Sequence, residues 1–350
     1  VPECADQPYA TLVNVTDALS WIGKRGGAWF LWMAFNAPHA PFQAPPDQCP
    51  TGPCHGVALP VPPGERCTGD PRPCYKAMME TLDTEIGRLL DYLPDDTAVI
   101  LLGDNGSPSQ VVVPPFDPTR AKFSVYEGGV NVPLILDIPG LATQGVERKE
   151  LVNASDLFAT VLDLAGAKIP PDLVTDSRSL VPILQGTAPA RTYVFTEMQA
   201  STQPGFRKTA REKRYKLIRT PNASPEDIEL FDLAGDPFET KDLYDDAQPN
   251  LTQMEQEAFD DLQEYLDFLD GVLPACPPTR SCTNPEGTCA RDLGQECQVT
   301  GTGSSACVQT NGELFQCGPG GTIFLRNCPC RVLVPHTICL RSDQTFFCQF

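Results

Sequence analysis

Apolar positions along this chain follow two rhythms, and the change from one to the other divides it. Trp29 to Phe35, Thr97 to Leu102 and Val132 to Ile138 are nearly continuous apolar runs, the last closed by Pro139-Gly140. Runs of this length and residue type predict buried strands. Between the first two, Lys76 to Leu93 places Met78, Leu82, Ile86, Leu89 and Leu93 at helical spacing, which predicts a helix with one buried face. A short amphipathic helix is predicted from Asp17 to Lys24, capped by Thr16, and another from Asp156 to Ala165, capped by Ser155 and ended by Gly166. Strands alternating with helices predict an α/β fold with a mostly parallel sheet covered on both faces.

From about residue 189 the strands shorten. Tyr193 to Thr196, Arg214 to Arg219 and Glu229 to Leu233 read as short strands between Pro, Gly and Asn. A helix is predicted from Gln253 to Leu269, with Phe259, Leu262, Tyr265, Leu266 and Leu269 on one side. This is the pattern of a small antiparallel sheet with a closing helix. Residues 271–350 differ again: they hold ten of the fifteen cysteines and no lysine. An even cysteine count in a short stretch predicts a disulfide-stapled module, with pairings that spacing does not fix.

Composition narrows the setting. There are 45 acids against 26 bases, a formal charge of -19, which argues against nucleic acid as a partner. In 271–350 five acids balance five arginines, so the excess charge belongs to the first 270 residues. Fifteen cysteines point to an oxidising, extracytoplasmic compartment: periplasm, extracellular space or lysosome. Asn14-Val-Thr, Asn153-Ala-Ser, Asn222-Ala-Ser and Asn250-Leu-Thr are potential glycan acceptors. Cysteines 4, 49, 54, 67 and 74 are odd in number, which leaves Cys4 as the candidate without a local partner. No apolar run is long enough to span a bilayer. The chain opens Val1-Pro-Glu-Cys without a methionine, so an upstream segment is expected. Nothing in the pattern fixes an oligomeric state.

Candidate chemistry gathers at the ends of the predicted strands. The run ending at Gly103 meets Asp104, Asn105 and Gly106, and strand ends of open α/β sheets are where ligands and metals bind. Asp104 and Asn105 offer two hard oxygen ligands, and Gly106 lets the backbone turn away. His39 closes the first strand in Asn36-Ala-Pro-His39, and Lys122 lies just before the third. A cation on oxygen ligands, an imidazole and an ammonium together suit an anionic ester. The cation polarises a non-bridging oxygen, while Lys or His donates a hydrogen bond or proton to the leaving oxygen. The chain Ser107–Thr119 and the Pro- and Cys-rich excursion 49–74 are candidate rims.

These residues carry a family resemblance. Phe35-Asn-Ala-Pro-His-Ala-Pro-Phe-Gln-Ala-Pro45 resembles a segment of sulfatases in the alkaline phosphatase superfamily, and Tyr75 to Leu90 resembles the helix after it. Gly103 to Pro108, Ala121-Lys122, Tyr126 to Ile135 and Asn153 to Gly166 are similar to the following blocks. Tyr215 to Arg219 and Glu229 to Thr240 are similar to the family's carboxyl-terminal subdomain. The resemblance implies part of an alkaline-phosphatase-like α/β/α sandwich over 1–188, a small antiparallel subdomain over 189–270 and the disulfide-rich tail over 271–350. It also implies that Asp104 and Asn105 bind a divalent metal, usually calcium, and that His39 and Lys122 contact the sulfate and the leaving oxygen. The implied substrate is a sulfate ester, an aryl sulfate or a sulfated carbohydrate.

Other family features are missing from these 350 residues. The family places a pair of metal-binding aspartates, a formylglycine nucleophile in a Cys-x-Pro-Ser-Arg context, and a further Lys and His before the segment that begins at Trp29. Asp95-Asp96 lies at the wrong end of its strand to replace the aspartates. Cys276-Pro-Pro-Thr-Arg280 fits a looser pattern within the tail and is read as a structural half-cystine. Phe123 stands where relatives usually have glycine, which predicts a narrower pocket or a shifted Lys122. The expectation is a sulfuric ester hydrolase whose chain is weak or inactive by itself. Two alternatives stay open. One is a phosphomonoester or phosphodiester hydrolase of the same superfamily; the other is a non-catalytic relative with a glycan- or protein-binding tail.

Overall fold

The computed structural model describes residues 9–141, 145–170, 172–173, 175–199, 206–220, 227–244 and 250–270, and the backbone of six short strands between 288 and 349. Cys4, Asn222 and Cys276-Pro-Pro-Thr-Arg280 lie outside these residues. The chain forms two compact units, 1–146 and 147–350.

In the first unit, helix α1 spans Ala10–Ile22, and strands β1 (Gln48–Cys49) and β2 (Gly52–Pro53) form a small ribbon. Helix α2 covers Arg72–Leu90, strand β3 Val99–Leu102, helix α3 Glu127–Val130 and strand β4 Leu134–Asp137. Helix α1 begins earlier than its predicted Thr16 cap, because Thr11, Val15, Ala18 and Ile22 already form one buried face. Helix α2 also starts early, with Pro73 in its first turn, where a missing N–H costs nothing. The two helices are tied by Arg88, which pairs with the fully buried Glu85 and reaches the Thr16 hydroxyl at 3.1 Å.

Two expectations for this unit are corrected. Strand β3 pairs with β4 antiparallel, Val99 opposite Asp137 and Leu102 opposite Leu134, and no parallel pair occurs among the described strands. Trp29–Phe35 alternates as a strand does: Trp29, Leu31, Met33 and Phe35 pack on the α1–α2 core, while Phe30 and Trp32 are exposed. It has no ladder partner among the described residues and therefore is not a strand. Apolar periodicity fixes which faces are buried and is silent on which backbone pairs with which. The excursion 49–74 is pinned as expected by disulfides, Cys49–Cys54 and Cys67–Cys74.

In the second unit, helix α4 (Asp156–Leu164) is followed by α5 (Val181–Leu184) and by strands β5 (Val194–Gln199), β6 (Phe206–Arg211), β7 (Tyr215–Thr220) and β8 (Asp227–Asp232). These form an antiparallel meander in chain order, packed by helix α6 (Gln253–Leu269). Strand β6 was not predicted. Ala210, Tyr215, Leu217 and Leu230 from the sheet meet Phe259, Leu262 and Leu266 from α6 in one core. Ser155 precedes α4 without capping it by its side chain; Asp156 instead accepts the Asn153 N–H at 2.9 Å and pairs with Arg191. Gly166 ends that helix at φ 67°, as its position implied. Of the sequon asparagines, Asn250 is exposed, whereas Asn153 donates its amide to the Phe195 carbonyl at 3.1 Å.

Helix α6 opens with a reciprocal cap. The Thr252 hydroxyl accepts the Glu255 N–H, and the Glu255 carboxylate accepts the Thr252 N–H at 2.7 Å. These bonds hold the Glu255 carboxyl below its ordinary value. Replacing Thr252 with alanine is expected to cost about 1 kcal/mol in chemical denaturation. A depressed carboxyl stabilises the fold above its unfolded value, so acidification through that range should shrink the difference between the two proteins.

Candidate active site

Three segments of the first unit carry the four candidate residues. Beyond β3 the ladder continues for one residue, through the Gly103 N–H to the Pro133 carbonyl at 3.0 Å, and Asp104 and Asn105 then turn out into solvent. The Asp104 carboxylate accepts the Asn105 N–H at 2.9 Å, and the Asn105 amide nitrogen donates to the Gly106 carbonyl at 3.0 Å. Both side chains are thereby held on one short turn.

Glycines lock this turn to the next segment. The Gly106 N–H donates to the Gly129 carbonyl at 2.9 Å, and a Cβ on Gly106 would lie 1.9 Å from the Gly128 oxygen. A Cβ on Gly128 would meet the Arg120 oxygen at 2.5 Å, and one on Gly129 the Ser124 oxygen at 2.3 Å. Only residues without side chains let these backbones approach so closely. The Lys122 N–H donates to the Ser107 carbonyl at 3.0 Å, so the lysine is fixed to the strand that bears Asp104 and Asn105. Its ammonium lies 5.3 Å from the centre of the Phe123 ring.

The His39 segment joins the same assembly from the other side. Ala37 is buried with Phe42, Cys74, Met78 and Val111, and Val111 lies on the loop that follows Ser107. Tyr75 packs edge-on against Phe42, and its hydroxyl is 3.2 Å from the Ser107 hydroxyl. His39 is exposed, with Nδ1 2.5 Å from the Ala40 carbonyl. A carbonyl only accepts, so Nδ1 carries the proton and Nε2 is left to face a ligand. The structure thus links all three segments through shared packing and hydrogen bonds. Tyr75 and Ser107, which hold the segments together, were not singled out by sequence; the paired Gly128-Gly129 was visible but had no assigned purpose.

Asp104 and Asn105 are oxygen donors of the type a hard divalent cation takes. No cluster of three or more His, Cys, Asp or Glu suited to a metal occurs among the described residues. Such cations take six or more oxygens, so this pair fits as part of a site and cannot form one alone.

Comparison with known proteins points to one family. A sulfatase family model matches residues 3–167, and a model of the C-terminal domain of N-sulphoglucosamine sulphohydrolase matches 120–265. Over residues 3–265 the chain is thus similar to sulfatases. An ulvan-active sulfatase of Formosa agariphila is 26% identical to this chain over 221 residues, which is 54% of the chain and 41% of the relative. Rat steryl-sulfatase is 32% identical over 125 residues, covering 32% of the chain and 22% of that enzyme. Human N-acetylgalactosamine-6-sulfatase is 29% identical over 189 residues, covering 50% and 33%. The chain thus spans less than half the length of these relatives. Among solved structures, i-CgsB superposes with a TM-score of 0.59 at 21% identity, over 74% of this chain and 54% of that one. The YidJ protein of Bacteroides fragilis gives 0.54 at 19%, over 74% and 58%. At these identities the chain shares their fold.

Proposed function

We propose that this chain is the carboxyl-terminal part of a metal-dependent sulfuric ester hydrolase, with His39 and Lys122 as catalytic groups and Asp104 and Asn105 as metal ligands. The observation that supports it is the interlocked turn 104–106 and segment 120–129, which carries a carboxylate, an amide oxygen and an ammonium on one rigid frame. Calcium is the cation assigned to the two oxygens, and it would polarise a sulfate oxygen when bound. Lys122 donates hydrogen bonds to the sulfate and the leaving oxygen. His39, with Nδ1 committed to Ala40, presents Nε2, which as imidazolium gives a proton to the departing alcohol. The relatives' names divide between polysaccharide and steroid esters, and the substrate proposed here is an aryl sulfate or a sulfated carbohydrate.

No Cys-x-Pro-Ser-Arg sequence occurs in the 350 residues. The nucleophile and the remaining ligands are assigned to sequence outside them, and with them the rest of an α/β/α sandwich over 1–188. Residues 189–270 form the second subdomain and 271–350 a disulfide-stapled module. Two disulfides fit an extracytoplasmic location, and no described helix is long and apolar enough to cross a membrane. The test is turnover of an aryl sulfate by the purified chain with calcium. Little or none is expected; fast, chelator-sensitive turnover that survives Cys276→Ala would overturn the partial-site reading.

A further inference from the structure

Phe123 departs from its surroundings in three ways at once. It is 75% exposed, a costly placement for an apolar ring. It takes φ 69°, the left-handed region that a residue with a branched Cα substituent adopts only under constraint. Its neighbours are the opposite: Ala121, Ser124 and Val125 are buried, and the Ser124 hydroxyl donates to the Ala121 carbonyl at 2.7 Å. The backbone on either side is therefore fixed, and the ring stands on it as a rigid projection. The Lys122 ammonium lies over the ring, 5.3 Å from its centre, so charge and ring are presented together.

A strained, exposed aromatic next to a cation is a recognition element rather than a packing element. We propose that Phe123 is a specificity-determining residue, a platform that stacks against the ring of the alcohol bearing the ester while Lys122 engages the sulfate. The inference rests on the sulfate-ester reading and adds to it the chemistry of the alcohol: a cyclic group with an apolar face. A ring stacked on Phe123 gains dispersion and burial that a short acyclic alcohol lacks.

The experiment is calorimetric or saturation-transfer titration of the full chain by methyl sulfate, phenyl sulfate and galactose 6-sulfate, ligands that Lys122 engages directly. The unmodified chain should bind the ring-bearing esters about three- to tenfold more tightly than methyl sulfate. Phe123→Gly should erase that preference, and Phe123→Trp should keep it. The thermal midpoint of Phe123→Gly, expected equal or higher because glycine accepts this φ freely, shows that the variant folds. An unchanged ratio in Phe123→Gly, or an equal loss for all three esters, overturns the platform. The two ring ligands separate an aryl from a pyranose preference. Absence of methyl sulfate binding, or binding unaffected by Lys122→Ala, sinks the sulfate-ester reading and the platform with it.

Discussion

Replacing Lys216 with methionine is expected to destabilise the second unit by about 3–5 kcal/mol, the largest effect of any single substitution considered. Lys216 lies in the middle of β7, whose six residues are all buried, and it is 1% exposed. Its ammonium is 2.9 Å from the Glu239 carboxylate, which is equally buried. Methionine fills nearly the same volume, so little packing is lost and the cost comes from a carboxylate left without its counter-charge in a water-poor site. Adding Glu239→Gln should recover most of the loss, because the amide carries no charge to be solvated. Urea denaturation followed by far-UV circular dichroism reads both proteins. A single-variant loss under about 1 kcal/mol would mean that the pair is hydrated or neutral and contributes little.

Gly106→Ala should be the most damaging single-methyl change in the first unit. The added carbon would lie 1.9 Å from a backbone oxygen that cannot rotate aside, so the 104–106 turn or the 127–130 turn must move. A loss of about 1–3 kcal/mol in stability is expected, as for other overpacked sites. Methyl sulfate binding through Lys122 should fall with it. Gly26→Ala is the control: nothing lies within 4 Å of its Cβ, and it should leave both readouts unchanged. Retention of normal binding by Gly106→Ala would show that the interlock is not what holds the donors.

What could be read from the sequence and what could not follow from distance along the chain. Helix α6 was legible end to end, because its apolar face lies within its own residues. Strand β6 was missed: Phe206-Arg-Lys-Thr-Ala-Arg211 is mostly polar, and its place is set by the strands on either side. The antiparallel pairing of β3 with β4 depends on residues more than thirty positions apart, which no local rhythm encodes. Lys216 lies in a predicted strand, but its ion pair with Glu239, further along the chain, is encoded by no local pattern. The chemistry-bearing residues His39, Asp104, Asn105 and Lys122 were visible by type and position. Their scaffolding was not, since Tyr75, Ser107 and the three glycines act through contacts between segments.

The clamp between Ser107 and Lys122 has a practical outcome for altering this protein. Both ends of the intervening chain are held, at Val111 in the core and at Lys122, so the exposed stretch 113–119 behaves as a cassette whose length and composition are nearly independent of the donor frame. Selectivity could be exchanged by grafting within 113–119, beyond the buried Val111, in the way a tool bit is changed without rebuilding the handle.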